Sequence, residues 1–252
     1  MTVLDSNTDF LITPPEILGD GQESNTDFQK GAVLLVDKPL DWSSFDVVKK
    51  IRNLLCHKLE IKKLKVGHAG TLDPLATGLM IICTGKATKQ IDSYQGLTKE
   101  YEASFRLGNT TPSFDLETEV DNLYPTDHIS PELISQTIRG FIGESDQVPP
   151  LFSAKRMGGK RAYEYARQGK EIELRPARIT IHEMHMLEFS DNILRLRILC
   201  SKGTYIRALA RDLGAALDSG ACLIELRRTA IGKFSVKEAV LPKKIEEMLN
   251  IM

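Results

Sequence analysis

Apolar positions along this chain follow two rhythms. Continuous runs at Ala32–Val36 and Leu79–Cys83 have the length and composition of buried strands. Tyr101–Leu107 alternates instead, as a strand with one solvated face does. A helix is predicted after Ser43 or Ser44, either of which suits its N-cap, with Val47, Val48, Ile51, Leu54 and Leu55 on its apolar side. Another starts at Pro131, whose fixed φ fits a first helical position, and runs to Gly140. Short helices are expected at 87–94 and 162–168, a longer one at Tyr205–Leu217 and a closing one at Lys243–Leu249. Ile179–Phe189 and Ile193–Cys200 read as an antiparallel pair turned at Ser190-Asp191-Asn192, and Cys222–Arg227 begins a further strand. Residues 108–128 are acidic and turn-rich, while 147–159 are basic and irregular. Strands and helices mix without strict alternation, which predicts an α+β fold with a mixed, mostly antiparallel sheet flanked by helices and loops.

The first 29 residues break both rhythms. They hold six acids (Asp5, Asp9, Glu16, Asp20, Glu23, Asp27) and no Lys or Arg. A flexible acidic tail is expected there, removable without loss of stability, ahead of one domain over 30–252. Ser-Asn-Thr-Asp-Phe occurs at 6–10 and again at 24–28, too little to build a repeat array. The formal charge of −1 hides an asymmetry: outside the tail stand 33 basic and 28 acidic residues, a net of +5. The positive charge gathers at 49–65 and at 155–170, the latter including Lys155, Arg156 and Lys160. Such clusters attract phosphate backbones whatever the total charge, although solvated helix faces look the same in sequence.

A chain of 252 residues, 42% hydrophobic, can bury one large core or two small ones. Its four cysteines lie far apart with no C-x-x-C pair, against a zinc ribbon or disulfide scaffold and in favour of a reducing cytoplasm. The first basic residue is Lys30, which argues against a signal peptide, and the apolar runs are too short to span a bilayer. A cytoplasmic protein with no membrane partner is expected. Gly85-Lys86-Ala87 and Gly19-Asp20-Gly21 miss the phosphate-loop and dinucleotide patterns, and no G-x-S-x-G occurs. His182 and His185 lack the H-E-x-x-H spacing and fall on opposite faces of a strand. Neither a metal nor a cofactor is expected.

The richest chemistry lies in His68-Ala69-Gly70-Thr71-Leu72-Asp73-Pro74-Leu75-Ala76-Thr77-Gly78. Its glycines allow tight turns and close backbone approach, and Pro74 pushes Asp73 towards an extended conformation. A carboxylate suits attack at an anomeric carbon, where positive charge develops. A structural turn is the other reading of the same residues. Arg207, in Ser201-Lys202-Gly203-Thr204-Tyr205-Ile206-Arg207, is placed near the first turn of a helix and can hold a carboxylate through two hydrogen bonds. Tyr101 starts a strand in Lys99-Glu100-Tyr101-Glu102, a common place for an aromatic on a sheet face.

Together these stretches resemble the motifs of the TruB-type pseudouridine synthases, which isomerise one uridine in the T loop of tRNA. Two more segments join them: Leu226-Arg227-Arg228-Thr229, and the span from Gln147-Val148-Pro149-Pro150 through Ser153-Ala154-Lys155 to Gly169. The likeness covers residues 31–240 and implies the pseudouridine-synthase fold and activity on uridine 55 of tRNA. It implies Asp73 as nucleophile, Tyr101 stacked on the base as proton acceptor, and Arg207 as the partner of Asp73. His68, Tyr205, Leu226 and Lys38 are implied to contact substrate, with Lys155, Arg156 and Lys160 in an RNA-gripping insertion over about 143–170. The T stem-loop of tRNA is the implied partner of a monomer, and the target base must be flipped out. Three departures stand out: Ala69 where many relatives have threonine, Asp41 where glycine is usual, and no room for a small C-terminal RNA-binding domain. A catalytically silent RNA-binding module and a glycoside hydrolase are the alternatives. The trio Asp73, Tyr101 and Arg207 argues against the first. The second needs two cooperating acids, and no second carboxylate lies in the motifs near Asp73.

Overall fold

The computed structural model describes residues 16–18, 26–151, 156–157, 160–161 and 174–249, with backbone alone at 156–157 and 160–161. Ten strands among them form one sheet. The strands are β1 (Glu16–Leu18), β2 (Ala32–Lys38), β3 (Val66–His68), β4 (Ala76–Thr84), β5 (Lys99–Leu107), β6 (Asn109–Thr110) and β7 (Asn122–Leu123). They continue as β8 (Gly143–Gln147), β9 (Arg156–Met157), β10 (Lys160–Arg161), β11 (Ala177–Ser190), β12 (Ile193–Cys200), β13 (Ala221–Ile231) and β14 (Phe234–Ser235). The helices are α1 (Ser44–Lys58), α2 (Ile91–Gly96), α3 (Pro131–Phe141), α4 (Ile206–Ala216) and α5 (Pro242–Met248).

The sheet order is β1-β2-β4-β13-β5-β12-β11-β8, with β3 on β4 and β14 on β13. Only β1–β2 and β4–β13 run parallel, so the sheet is mixed and mostly antiparallel as expected. β2 and β4 read as unbroken apolar runs because both of their faces are covered. Leu34, Val36, Met80 and Ile82 face the main core, while Val33, Leu35, Leu79 and Ile81 pack on the other side with Ile231 and Phe234. β5 alternates because Glu102 and Arg106 are exposed between Tyr101, Ala103, Phe105 and Leu107.

Local sequence explains the element ends. Ser43 caps α1 in a reciprocal box with Asp46, and Val47, Val48, Ile51, Leu54 and Leu55 are the buried face. Asp191 and Asn192 take positive φ of 50° and 59° between β11 and β12, the turn geometry that matches strand twist. The helix expected at 162–168 lies outside the described residues. β8 was not legible: its Glu144 and Asp146 look like loop residues, yet both pair with Arg178 on β11.

The structure departs from a wholly flexible tail. β1 pairs with β2 through Glu16, Ile17 and Leu18, and Leu18 and Phe28 are only 2% and 3% exposed. Leu18 and Phe28, two large apolar side chains of this acidic segment, join the main core, and Ile17 packs on the other face of the sheet. Deleting residues 1–28 is therefore expected to cost about 3 kcal/mol or more. Calorimetry reads that as a fall of roughly 6–12 °C in melting temperature, and an unchanged melting temperature restores the flexible tail.

Candidate active site

Strand register assembles the site. Parallel pairing sets Leu226 opposite Ala76 and Arg228 opposite Gly78, so the Asp73 loop enters β4 beside Leu226. On its other side β13 sets Arg228 opposite Tyr101. β12 pairs Cys200 with Lys99 and then leads through Ser201–Tyr205 into α4. The close approach requires glycine at 78, where φ is +107° and an added Cβ would sit 2.3 Å from the Arg228 carbonyl oxygen. These elements surround a cavity of about 700 Å³ lined by Thr71, Asp73, Tyr101, Tyr205, Arg207, Leu226 and Arg228 among others, within the usual size of ligand sites.

Arg207 is 4% exposed and lies between two carboxylates: its Nε is 2.9 Å from Asp73 Oδ2 and 3.5 Å from Asp115 Oδ2. Its Nη1 donates to the Ser113 carbonyl at 3.4 Å. Asp73 keeps 42% of its side chain exposed, so the carboxylate is oriented from behind and open in front. Asp115, which lies outside the quoted motifs, is a second carboxylate that the fold brings to Arg207. It comes from the acidic 108–128 stretch, where nothing distinguishes it from its neighbours in sequence. It is buried, accepts from the Glu117 amide at 3.0 Å, and does not line the large cavity. Buried there, Asp115 is not the exposed second acid that glycoside hydrolysis needs.

The Asp73 loop is braced at several points. Ser44 Oγ donates to the Leu72 carbonyl and accepts from the Leu72 amide, both at 2.8 Å. Asp41 N–H donates to the Pro74 carbonyl at 3.0 Å. Lys38, expected to touch substrate, is fully buried instead, and its Nζ donates to the carbonyls of Trp42, Pro39 and Pro74 at 2.5, 2.9 and 3.2 Å. Burial pushes this ammonium down to about 8, opposed by the nearby Asp73 charge. A lysine so enclosed holds the loop and does not reach a ligand.

Asp41 holds the left-handed conformation at φ 64°, so the loop keeps a path that glycine takes without strain. Asp41→Gly is expected to stabilise by about 0.5–1 kcal/mol, a rise of roughly 1–4 °C on melting. A fall would show that the Asp41 carboxylate, close to Lys38, outweighs its backbone cost. Ala69 is buried and its N–H donates to the Ile81 carbonyl at 2.9 Å.

The remaining expected residues divide. Tyr101 lines the cavity; burial pushes its hydroxyl up, and the neighbouring Arg228 guanidinium pulls the other way. Leu226 and Tyr205 line the cavity too. His68 sits half-buried on β3 and is not a lining residue. Burial first and Arg228 second hold its imidazole below the usual range, which favours the neutral ring. Lys155 and the side chains of Arg156 and Lys160 lie outside the described residues. Two side chains inside quoted motifs were overlooked. Gln147 accepts from Tyr205 N–H at 2.8 Å and donates to its carbonyl at 3.2 Å, fixing the start of α4. Arg228 is buried, donating from Nε to the Leu79 carbonyl at 2.7 Å and from Nη2 to the Gly70 carbonyl at 3.1 Å. Among the described residues no three His, Cys, Asp or Glu side chains gather as a metal ion needs.

The mixed sheet flanked by helices has the fold of the pseudouridine synthases. A chain of the crystal structure of a Cbf5–Nop10–Gar1 complex superposes with a TM-score of 0.63 at 30% identity, over 84% of this chain and 52% of that one. This chain thus spans about half the length of that solved protein. Residues 57–206 match the TruB family pseudouridylate synthase N-terminal domain, and 207–252 match the tRNA pseudouridylate synthase B C-terminal domain. The chain belongs to the TruB family. It is 55% identical to the tRNA pseudouridine synthase B of Parabacteroides distasonis over 89% of this chain and 95% of that protein. The same enzyme of Phocaeicola vulgatus is 54% identical over 88% and 95%. The two family matches do not divide the molecule, since β13, from the second, lies between β4 and β5, from the first.

Proposed function

We propose that this chain is a tRNA pseudouridine synthase that isomerises the T-loop uridine at position 55. The observation that carries the reading is the Asp73–Arg207 contact at 2.9 Å, buried on the arginine side and open to a cavity lined by Tyr101 and Leu226. The uridine is flipped out of its loop, because its glycosidic bond is inaccessible in the folded RNA. Tyr101 and Leu226 hold the base, Asp73 attacks C1′ of the sugar or C6 of the base, and the released base turns and rejoins through carbon. On the sugar-side route Tyr101 takes up the proton. Residues 30–252 act as one catalytic domain and the enzyme works as a cytoplasmic monomer. Residues beyond β8, with Lys155, Arg156 and Lys160, supply the RNA grip. The test is conversion of uridine 55 in unmodified tRNA by the purified protein, read by pseudouridine-specific chemistry. Stoichiometric tRNA binding with no conversion would instead support the silent RNA-binding module.

A further inference from the structure

Four charges around the carboxylate cancel. Asp73 and Asp115 share Arg207, and buried Lys38 lies close enough to Asp73 to feel its charge. Two other buried cations in the cavity wall, Lys99 and Arg228, have no such balance. Lys99 Nζ donates to the carbonyls of Gln95 and Leu97 at 2.5 and 2.6 Å, and Arg228 to those of Leu79 and Gly70. None of the described carboxylates forms an ion pair with either. The two meet over Gly70, whose missing Cβ would lie 3.6 Å from Arg228 Nη1 and 4.0 Å from Lys99 Cε.

Carbonyl dipoles solvate a cation without neutralising it, and two like charges side by side in a buried wall repel. An ammonium has three N–H donors and a guanidinium five, so both retain donors beyond these contacts. Uracil carbonyls would add further dipoles and leave the charge in place, whereas a backbone phosphate brings a full negative charge that offsets half of it. We propose that Lys99 and Arg228 form a subsite for one backbone phosphate flanking the uridine held over Asp73. The inference rests on the RNA-modifying reading given above. Free inorganic phosphate has the same chemistry, so the two sources are separated in the test.

Burial and then the Arg228 charge push Lys99 down to about 8, with Lys202 acting in the same direction and Cys200 opposing. Asp92 and Tyr101 face the same cavity. A bound phosphate favours the charged ammonium, so RNA binding takes up a proton near pH 8 and weakens as pH rises through that value.

The experiment measures binding of a uridine-containing stem-loop RNA, with neutral methylphosphonate placed at each linkage around the target in turn. One linkage is expected to weaken the wild-type protein about tenfold. The same replacement weakens Lys99→Met less than wild type, because only Arg228 remains there to hold the phosphate. Lys99→Met itself binds about tenfold more weakly, lowers the salt slope by about 1, and loses the proton uptake. Lys99→Arg restores binding. A wild-type scan in which no flanking linkage matters overturns the subsite, and it does so without any variant. Inorganic phosphate that stabilises wild type but not Lys99→Met, beside a silent scan, also overturns it in favour of a free anion. Pseudouridine formation by the wild type is read in the same samples. A silent scan on converted RNA removes the subsite alone, whereas no conversion removes the functional reading.

Discussion

Asp73→Asn is expected to abolish pseudouridine formation while changing tRNA affinity by less than about tenfold, or 1.4 kcal/mol. The amide keeps the size of the side chain and can still accept a hydrogen bond from Arg207 Nε, so the loop braced by Ser44 and Lys38 stays in place. What disappears is the anionic oxygen that attacks in the proposed reaction. Single-turnover assays with saturating enzyme separate chemistry from binding. Turnover above background by a preparation free of the wild-type enzyme refutes Asp73 as nucleophile.

Arg207→Gln is expected to damage both stability and chemistry, for separable reasons. Removing the cation leaves Asp115 buried and uncompensated, which costs about 3–5 kcal/mol. It also frees the Asp73 carboxylate to rotate, and a misplaced reacting group of this kind costs about a hundredfold in rate. The double variant Arg207→Gln/Asp115→Asn is expected to recover most of the stability, since the orphaned charge has gone, and none of the activity. Denaturant unfolding and single-turnover rates test the two halves. If the double variant recovers turnover along with stability, Arg207 acts only as structural support.

Much of this architecture was written in local patterns. The α1 face and its Ser43 cap, the alternation of β5 and the Asp191-Asn192 turn each depend on residues close together in sequence, so periodicity finds them. Asp73, Tyr101 and Arg207 were picked out through motifs, and the pairing of Asp73 with Arg207 was implied by the family resemblance. What escaped depends on distant partners. Lys38 is implied by the resemblance to contact substrate, and only the fold shows it enclosed by three carbonyls. Asp115 is one acid among many until Arg207 arrives from residues far along the chain. Arg228 lies within a quoted motif, yet its placement against Tyr101 is a matter of sheet register. Leu18 and Phe28 were submerged in an acidic segment whose apolar residues follow no sustained period.

The position of β13 bears on how the protein is made. This strand is synthesised late and belongs in the middle of the sheet, between β4 and β5. Until it emerges from the ribosome, the β2–β4 pair and the β5–β12–β11 block have no strand to join them, and each exposes an unpaired edge of the kind that captures other chains. Catalytic geometry is a late event for the same reason, because Arg228 and Leu226 arrive with the joining strand. Nascent chains stalled before Ala221 are therefore expected to be inactive and prone to aggregate, since β13 alone completes the site and closes both exposed edges.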